Sequence, residues 1–271
     1  MDLAKYGPWA LVVGGSEGVG AEFARQLAAD GFRLVLTARK LEPLEELKQE
    51  LEAKGAEVRV VCADLKKSDV LDTVRKATDD VEIGLLVYNA GANDTRGLFV
   101  DLPAEVPDGV VAINVLGQMA FARHYGKLMK ERCRGGIILT GSLGGYLGSA
   151  TLAAYTAAKA FSRIFTEALW AEMEPLGVDV LHLNIGFTAT PAMARLGMPI
   201  EYAEPCENVA RQGLENIANG PMHIVSTPGN LEQVQRVSQL ENRAEVVRAH
   251  AIRPREETAE AALETQALAK G

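Results

Sequence analysis

The 271-residue chain has few of the features that mark metal-binding, secreted or membrane-spanning proteins. Its three cysteines, Cys62, Cys133 and Cys206, and its four histidines are scattered, without the spacing of metal ligands, so we expect no metal site. No apolar run reaches the roughly 18 residues that suggest a transmembrane helix, and the N-terminal residues lack the apolar core of a signal peptide. The sequence therefore predicts a cytoplasmic protein with no membrane span.

Basic charge is also scarce in this chain. Lysine and arginine number 28 against 36 aspartates and glutamates, and the formal net charge is −8. A chain of this sign has no general attraction for nucleic acid or for an anionic membrane surface. Its 48% hydrophobic and 24% charged residues are typical of a globular protein with a substantial core. We therefore expect the protein to bind a small molecule and not a nucleic acid.

Short apolar runs alternate with amphipathic stretches along residues 1–230. The expected strands cover 9–13, 33–38, 58–63, 83–88, 136–140, 178–183 and 222–225, and the expected helices cover 21–30, 41–54, 68–79, 104–132, 155–173 and 206–219. Such alternation is typical of right-handed βαβ units. We therefore predict an α/β fold: a single Rossmann-like, doubly wound parallel sheet of about seven strands flanked by helices.

Residues 231–271 follow this domain and are rich in Glu, Gln, Arg and Ala. They predict a helical C-terminal extension, with helix-prone segments 231–252 and 256–269 separated by Pro254. The composition suits helices packed on a neighbouring subunit, a cover over the active site, or a partly ordered tail. The sequence does not choose among these three.

A glycine-rich turn lies between the first strand and the first long helix. Gly14, Gly18 and Gly20 would let the backbone approach a pyrophosphate at the helix N-terminus; the alternative is a tight turn with no ligand. The second strand ends without the carboxylate that binds the ribose of NAD, and Arg39 follows it. A permanently charged guanidinium favours the 2′-phosphate of NADP(H). Glu17 adds an unhelpful negative charge to the turn, and NAD(H) is the alternative cofactor.

Three side chains that can handle a proton lie within residues 140–159. Tyr155 and Lys159 are four residues apart in an Ala-rich segment that should be helical, so they project from one face. A lysine ammonium beside a phenol is expected to lower the pKa of Tyr155. Ser142 follows the fifth strand, at the edge where open α/β sheets bind ligands. The pattern indicates a proton-transferring site; the alternative is that Tyr155 packs on the sheet and Lys159 is solvated.

Asn114 is a further candidate, because it stands in the apolar run 111–116 of an expected helix. A buried amide needs hydrogen-bond partners. It could bond to the backbone, or it could hold a water molecule.

Together these motifs resemble the short-chain dehydrogenase/reductase family over residues 5 to about 225. The residues that carry the resemblance are Gly14, Gly18, Gly20, Asp64, Leu65, Asn89, Ala90, Gly91, Asn114, Ser142, Tyr155 and Lys159. The segment 5–10 is similar, more weakly, to the branch that reduces 3-ketoacyl-CoA esters and hydroxysteroid ketones. Val13 departs from the family's frequent Thr, and residues 184–186 read Asn-Ile-Gly in place of a frequent Asn-Pro-Gly. Neither departure concerns proton transfer.

The resemblance implies an NADP(H)-dependent oxidoreductase that interconverts a ketone and its secondary alcohol by hydride transfer. Tyr155 would be the general acid/base, and Ser142 would hydrogen-bond the carbonyl. Lys159 would tune Tyr155 and bind the nicotinamide ribose, and Asn114 would hold a water linking Lys159 to solvent. The implied cofactor-binding residues are Gly14, Ser16, Gly18, Val19, Gly20, Arg39, Asp64, Leu65, Asn89, Ala90, Gly91, Tyr155, Lys159, Gly186, Thr188 and Thr190.

Substrate specificity should lie in the loops after the fifth and sixth strands, 143–152 and 187–203. Their apolar, Met-rich composition suggests an adaptable pocket and a closing lid; the alternative is simple packing on the sheet. We expect a medium-sized apolar ketone or its alcohol, acyl or polycyclic. By the family resemblance, the helix 155–173 pairs across a two-fold axis in a homodimer or homotetramer; an internal apolar face is the alternative.

Two other classes of function compete with this one. A non-catalytic NADP(H)-binding sensor or scaffold would need no proton donor, so Ser142, Tyr155 and Lys159 count against it. An epimerase or dehydratase of the extended relatives would usually carry a larger C-terminal domain and a different glycine spacing. An NAD(H)-dependent alcohol dehydrogenase is the nearest alternative to an NADP(H)-dependent enzyme.

Overall fold

A computed structural model describes residues 1–91, 95–238 and 243–248. The expected helix at 256–269 lies outside these residues. Within the described ranges, no helix is long and apolar enough to cross a bilayer.

One sheet of seven parallel strands forms the centre of the domain. The strands are β1 Trp9–Val13, β2 Arg33–Ala38, β3 Val58–Cys62, β4 Ile83–Tyr88, β5 Gly135–Thr140, β6 Val178–Asn184 and β7 Met222–Ile224. Their order in the sheet is β3-β2-β1-β4-β5-β6-β7, and every neighbouring pair is parallel. This is the predicted Rossmann-like, doubly wound sheet, and the fold prediction is confirmed.

Helices alternate with these strands along the chain. They are α1 Leu3–Tyr6, α2 Gly18–Ala29, α3 Leu41–Glu52, α4 Val70–Arg75, α5 Glu105–Val111, α6 Gln118–Arg132, α7 Ala153–Met173, α8 Pro191–Arg195, α9 Cys206–Glu215 and α10 Asn230–Ser238. The helix expected over 68–79 is shorter, because the N–H groups of Ala77 and Thr78 bond to carbonyls three residues back and tighten the chain into turns. Of the helix expected over 231–252, the described residues 231–238 and 243–248 are helical.

Two apolar layers cover the faces of the sheet. Under α2, α3 and α9 lie Phe23, Leu27, Leu36 and Leu44, all fully buried. The opposite face packs against α6 and α7 through Tyr88, Phe121, Tyr125 and Met129. Because helices cover both faces, all five residues of β1 are buried, which explains its continuous apolar sequence.

The N-terminus is fastened to the sheet by an ion pair and a hydrogen bond. The Tyr6 hydroxyl donates to the carboxylate of Asp179, near the start of β6, and the ammonium of Lys5 pairs with the same carboxylate. Both contacts lie at the amino ends of the strands, away from the edge where ligands of such sheets bind.

The strand order reverses between β1 and β4, which are neighbours in the sheet. Chain segments leaving their carboxyl ends therefore diverge, and this opens a crevice between them. Gly14 follows β1 and Asn89 follows β4. The crevice is where the candidate site is built.

Candidate active site

The glycine-rich turn fits tightly against its neighbours at the mouth of the crevice. Gly14 has φ +81°, and a methyl group there would lie 2.8 Å from the backbone nitrogen of Ala90. A methyl group on Gly20 would lie 1.9 Å from the carbonyl oxygen of Gly14. The Asn89 amide donates to that same oxygen at 3.2 Å and ties the turn to β4. Larger residues would therefore push α2 away from the turn.

The N-terminus of α2 is open to an anion. Glu17 is the N-cap residue, and its side chain makes no capping hydrogen bond to α2. First-turn N–H groups carry the positive end of the helix dipole. The close glycines and the uncapped helix end together form a cradle that suits a pyrophosphate.

The remaining predicted cofactor residues line the same edge of the sheet. Arg39 is exposed directly after β2, and its guanidinium pairs with no carboxylate among the described residues. Asp64 follows β3 and accepts a hydrogen bond from the backbone of Lys66 at 3.0 Å. Thr188 donates to the carbonyl of Gly186 at 3.1 Å. The other members are Ser16, Val19, Leu65, Ala90, Gly91 and Thr190, in the turn, in α2 or after β3, β4 and β6.

Ser142, Tyr155 and Lys159 are brought to the carboxyl end of β5. Ser142 starts the short turn after β5, where its Oγ accepts from the N–H of Gly144 at 3.0 Å. Tyr155 lies in the first turn of α7, and Lys159 follows one turn later. The Lys159 Nζ is 5.7 Å from the centre of the Tyr155 ring and donates to the carbonyl of Thr140 at 3.2 Å. Lys159 is only 3% exposed, so its long side chain is fixed.

The pKa values at this site differ from the expectation. Burial raises the pKa of the Tyr155 phenol, and the hydrogen bond to Ser142 only partly opposes that shift. The expected lowering is therefore wrong, because loss of solvation on burial is the largest influence on this phenol. Burial also lowers the pKa of Lys159 to about 8, so this side chain is mostly charged at neutral pH.

Asn114 is held by a local irregularity in the long helical region. Residues Ala112–Gly117 form a π-helical turn between α5 and α6, a feature frequent at functional sites. The fully buried amide donates from Nδ2 to the carbonyl of Val110 at 3.0 Å. Its Oδ1 has no hydrogen-bond partner in the described structure. A methyl group on Gly91 would meet both this oxygen and, at 3.1 Å, the Nζ of Lys159. The unpaired acceptor and the ammonium thus face one small space.

A narrow cleft opens beside Tyr155. Its lining includes Phe99, Leu102, Val106, Val110 and Leu152 together with Tyr155. Most of these residues belong to the segment between β4 and α5 and to α5 itself, which the sequence analysis did not consider for specificity. The sequence feature that could have indicated this segment is the apolar run 98–100, whose side chains are exposed in the structure.

The second loop predicted for specificity carries α8. Thr190 caps this helix by accepting from the N–H of Met193 at 3.2 Å. Phe187, Leu196, Met198 and Tyr202 are exposed around it. The 187–203 segment is therefore a short helix with an apolar surface at the mouth of the crevice. We name this segment the lid.

A buried histidine lies against Gly141, the residue that precedes Ser142. The ring of His182, on β6, fills the space left by the missing side chain of Gly141. It is fully buried, and neither ring nitrogen has a hydrogen-bond partner among the residues described. Burial, aided by the charges of Lys159 and Arg163, lowers the pKa of His182 to about 3. No group of three or more His, Cys, Asp or Glu that could hold a metal ion occurs in the described ranges.

Comparison with known families identifies this arrangement. The family model for short chain dehydrogenases matches residues 8–199, which contain the turn, Asn114, Ser142, Tyr155 and Lys159. The chain belongs to the short-chain dehydrogenase family. The resemblance stated from the sequence is thereby confirmed, and the family is one of oxidoreductases.

Two characterised relatives of this short-chain dehydrogenase illustrate its place in the family. It is 32% identical over 234 residues to a very-long-chain 3-oxoacyl-CoA reductase of Pyricularia oryzae, covering 83% of this chain and 70% of that protein. It is 35% identical over 190 residues to a 7β-hydroxysteroid dehydrogenase of Collinsella aerofaciens, covering 70% and 72%.

Solved structures share the fold of this short-chain dehydrogenase. A 7β-hydroxysteroid dehydrogenase structure has a TM-score of 0.85 at 29% identity, covering 92% of this chain and 98% of that one. A short-chain dehydrogenase from Sphingobium yanoikuyae in complex with NADPH has a TM-score of 0.74 at 26% identity, covering 84% and 92%.

Proposed function

We propose that this short-chain dehydrogenase interconverts an apolar ketone and its secondary alcohol with NADP(H), using Tyr155 as general acid/base. One observation carries the proposal: Ser142, Tyr155 and a buried Lys159 lie together at the carboxyl end of β5. The glycine-rich turn lies at the same edge of the sheet. A bound nicotinamide nucleotide would supply or accept the hydride. The protein residues then have to bind that nucleotide, orient the carbonyl and move one proton.

The nucleotide-binding roles follow from the cradle. Gly14 and Gly20 leave room for the pyrophosphate at the uncapped N-terminus of α2. Arg39, exposed after β2, suits the 2′-phosphate that distinguishes NADP(H) from NAD(H). The Sphingobium relative in complex with NADPH supports a nicotinamide nucleotide as cofactor, and the choice of NADP(H) rests on Arg39.

Proton transfer would run from Tyr155 to the carbonyl oxygen in the direction of reduction. The pKa of Tyr155 is raised by burial, so the phenol is protonated at neutral pH and has a proton to donate. Ser142 would hydrogen-bond the same oxygen and stabilise its developing negative charge. Lys159 would then return a proton to Tyr155. The unpaired Oδ1 of Asn114 could hold the water that resupplies Lys159.

The substrate class follows from the cleft beside Tyr155. Phe99, Leu102, Val106 and Leu152 offer apolar contacts. The lid exposes two further apolar side chains, Leu196 and Met198. The apolar character of these side chains suits an apolar carbon skeleton with one carbonyl. The names of the two relatives, one a steroid dehydrogenase and one a long-chain acyl reductase, support that class.

The test measures reduction of a panel of apolar ketones, oxosteroids and 3-oxoacyl-CoA esters, monitored through the loss of NADPH absorbance. The Tyr155→Phe variant is the control. The wild type should turn over part of the panel, and Tyr155→Phe should lose about 10²–10⁴-fold in rate while binding NADPH unchanged. Equal rates in both proteins would contradict a Tyr155 acid. Binding of NADPH without turnover in either direction would favour a sensor.

We also propose that the enzyme is a homodimer or homotetramer. Val111, Leu116, Met119 and Ile164 are exposed on the helical region from α5 to α7. An isolated apolar face of this kind is typical of a subunit interface. Light scattering should give at least twice the monomer mass, and a monomer at micromolar concentration would contradict the proposal.

A further inference from the structure

Two charged side chains join the glycine-rich turn to the lid. Arg195, the last residue of α8, donates from its two terminal nitrogens to the two carboxylate oxygens of Glu17 at 2.9 and 2.5 Å. The two residues are 178 positions apart in sequence. A forked pair of this geometry holds two segments in one relative orientation better than a single contact does.

The start of the lid helix also comes close to the turn, beside this ion pair. A methyl group on Gly18 would come within 3.4 Å of the Thr190 side chain and 3.5 Å of Pro191. Thr190 also caps α8, so the start of the lid helix is fixed to the residue that contacts the turn. The lid therefore approaches the turn at both ends of α8, closely at Thr190 and through an ion pair at Arg195.

The charge on Glu17 allows two opposite roles for Arg195. The Glu17 carboxylate lies next to the α2 N-terminus and is also influenced by the charges of Lys40 and Arg39. In one role, Arg195 only neutralises a carboxylate that would repel an anionic nucleotide. In the other, the pair mechanically keeps the lid on the turn. The forked geometry and the neighbouring Thr190 contact favour the mechanical role, because neutralisation requires neither.

We propose that Glu17 and Arg195 form a latch that holds the lid over the bound nucleotide and slows its release. The inference rests on the nucleotide binding assigned under the proposed function. Glu17 and Arg195 are positioning residues, since they act through the lid and not on the reacting atoms. The nucleotide leaves when the latch and the Thr190 contact separate from the turn.

The effect of the latch on release should be modest. The side chains of Glu17 and Arg195 are 43% and 58% exposed, so solvent screens the pair. Exposed pairs of good geometry change an equilibrium or rate by about three- to fivefold. Added salt should reduce the effect, because the Debye length falls to about 3 Å at 1 M ionic strength.

The test measures release of NADPH and of NADH by stopped-flow fluorescence in the full-length protein. The variants are Glu17→Gln, Arg195→Gln, the double substitution, and the exchanged pair Glu17→Arg with Arg195→Glu. Arg75→Gln is the matched control, because Arg75, the last residue of α4, makes a similar forked pair with Asp79 in the turn that follows. Equilibrium binding and thermal unfolding of each variant show that the fold is intact.

A latch predicts that both single substitutions and the double substitution speed release of both nucleotides by about three- to fivefold. The exchanged pair should restore slow release, and Arg75→Gln should have no effect. If Arg195→Gln weakens binding while Glu17→Gln strengthens it, and the double variant matches the wild type, the latch is wrong and Arg195 only neutralises Glu17. Unchanged release in both single variants also overturns the latch. If the wild type binds neither nucleotide, the proposed function fails with it.

Discussion

The buried imidazole of His182 should make this protein sensitive to acid. Its pKa is about 3 in the folded state, against an ordinary value of 6.5 in the unfolded chain. Below pH 6.5 the unfolded chain therefore takes up a proton that the folded protein does not accept. The unfolding free energy should fall as the pH decreases from 6.5 towards 3. Lys159 and Arg163 add to the effect, because a second positive charge beside them is unfavourable.

The size of this loss follows from the two pKa values. At about pH 4.5 the solution is two pH units below the unfolded pKa and still above the folded one. Each unit is worth about 1.36 kcal/mol, so His182 alone should remove about 2.5 kcal/mol between about pH 7 and about pH 4.5. The complete burial of the ring justifies using this value without a correction for solvent screening.

Urea unfolding at the two pH values, for the wild type and His182→Leu, measures the contribution. Leucine has a similar volume and cannot titrate, and the ring nitrogens it removes have no hydrogen-bond partner in the described structure. Carboxylates and the other histidines titrate in both proteins, so their effects cancel in the difference. His182→Leu should lose about 2.5 kcal/mol less than the wild type. Equal losses would refute the reasoning and show that the ring gains a proton without unfolding.

Three further substitutions test other parts of the structure. Asp179→Asn removes the carboxylate that holds the N-terminal helix and should lower the unfolding free energy in urea by about 1–2 kcal/mol. Tyr6→Phe removes only one of the two contacts to Asp179 and should cost less. A larger loss for Tyr6→Phe than for Asp179→Asn would contradict this role of Asp179. Arg39→Gln should weaken NADPH binding about tenfold and leave NADH binding unchanged in fluorescence titrations, since only NADPH carries the 2′-phosphate; equal effects on both would contradict that role. Gly141→Ala places a methyl group 2.1 Å from the β6 imidazole and should lower the unfolding free energy by about 1–3 kcal/mol. Gly148→Ala, which meets nothing within 4 Å, is its control in the same urea titrations, and equal losses would show that the clash relaxes freely.

The fold could be predicted because its strands carry a local signal. β1, β4 and β5 are buried on both faces and read as continuous apolar runs, bounded by glycines or polar residues. Alternating helices then leave few topologies, because βαβ units are right-handed. Element ends were harder to predict. The end of α4 depends on hydrogen bonds that no local pattern shows.

The grouping of Ser142, Tyr155 and Lys159 could be expected for a similar reason. A four-residue spacing on a helix and a position after a strand are local facts, and the parallel sheet brings such ends together. The pKa of Tyr155 could not be predicted, because burial depends on everything packed around the phenol. That sum of contacts reversed the direction expected from Lys159 alone.

The sequence by itself determined the order of strands and helices, the glycine-rich turn and the candidate side chains for proton transfer, since each rests on neighbours close in the chain. The tertiary structure alone decided which distant residues meet. It paired Glu17 with Arg195, set His182 in the space beside Gly141, and left the Oδ1 of Asn114 unpaired. These contacts join segments far apart in sequence, so only the packing of the whole sheet and its helices fixes their distances, burial and charge.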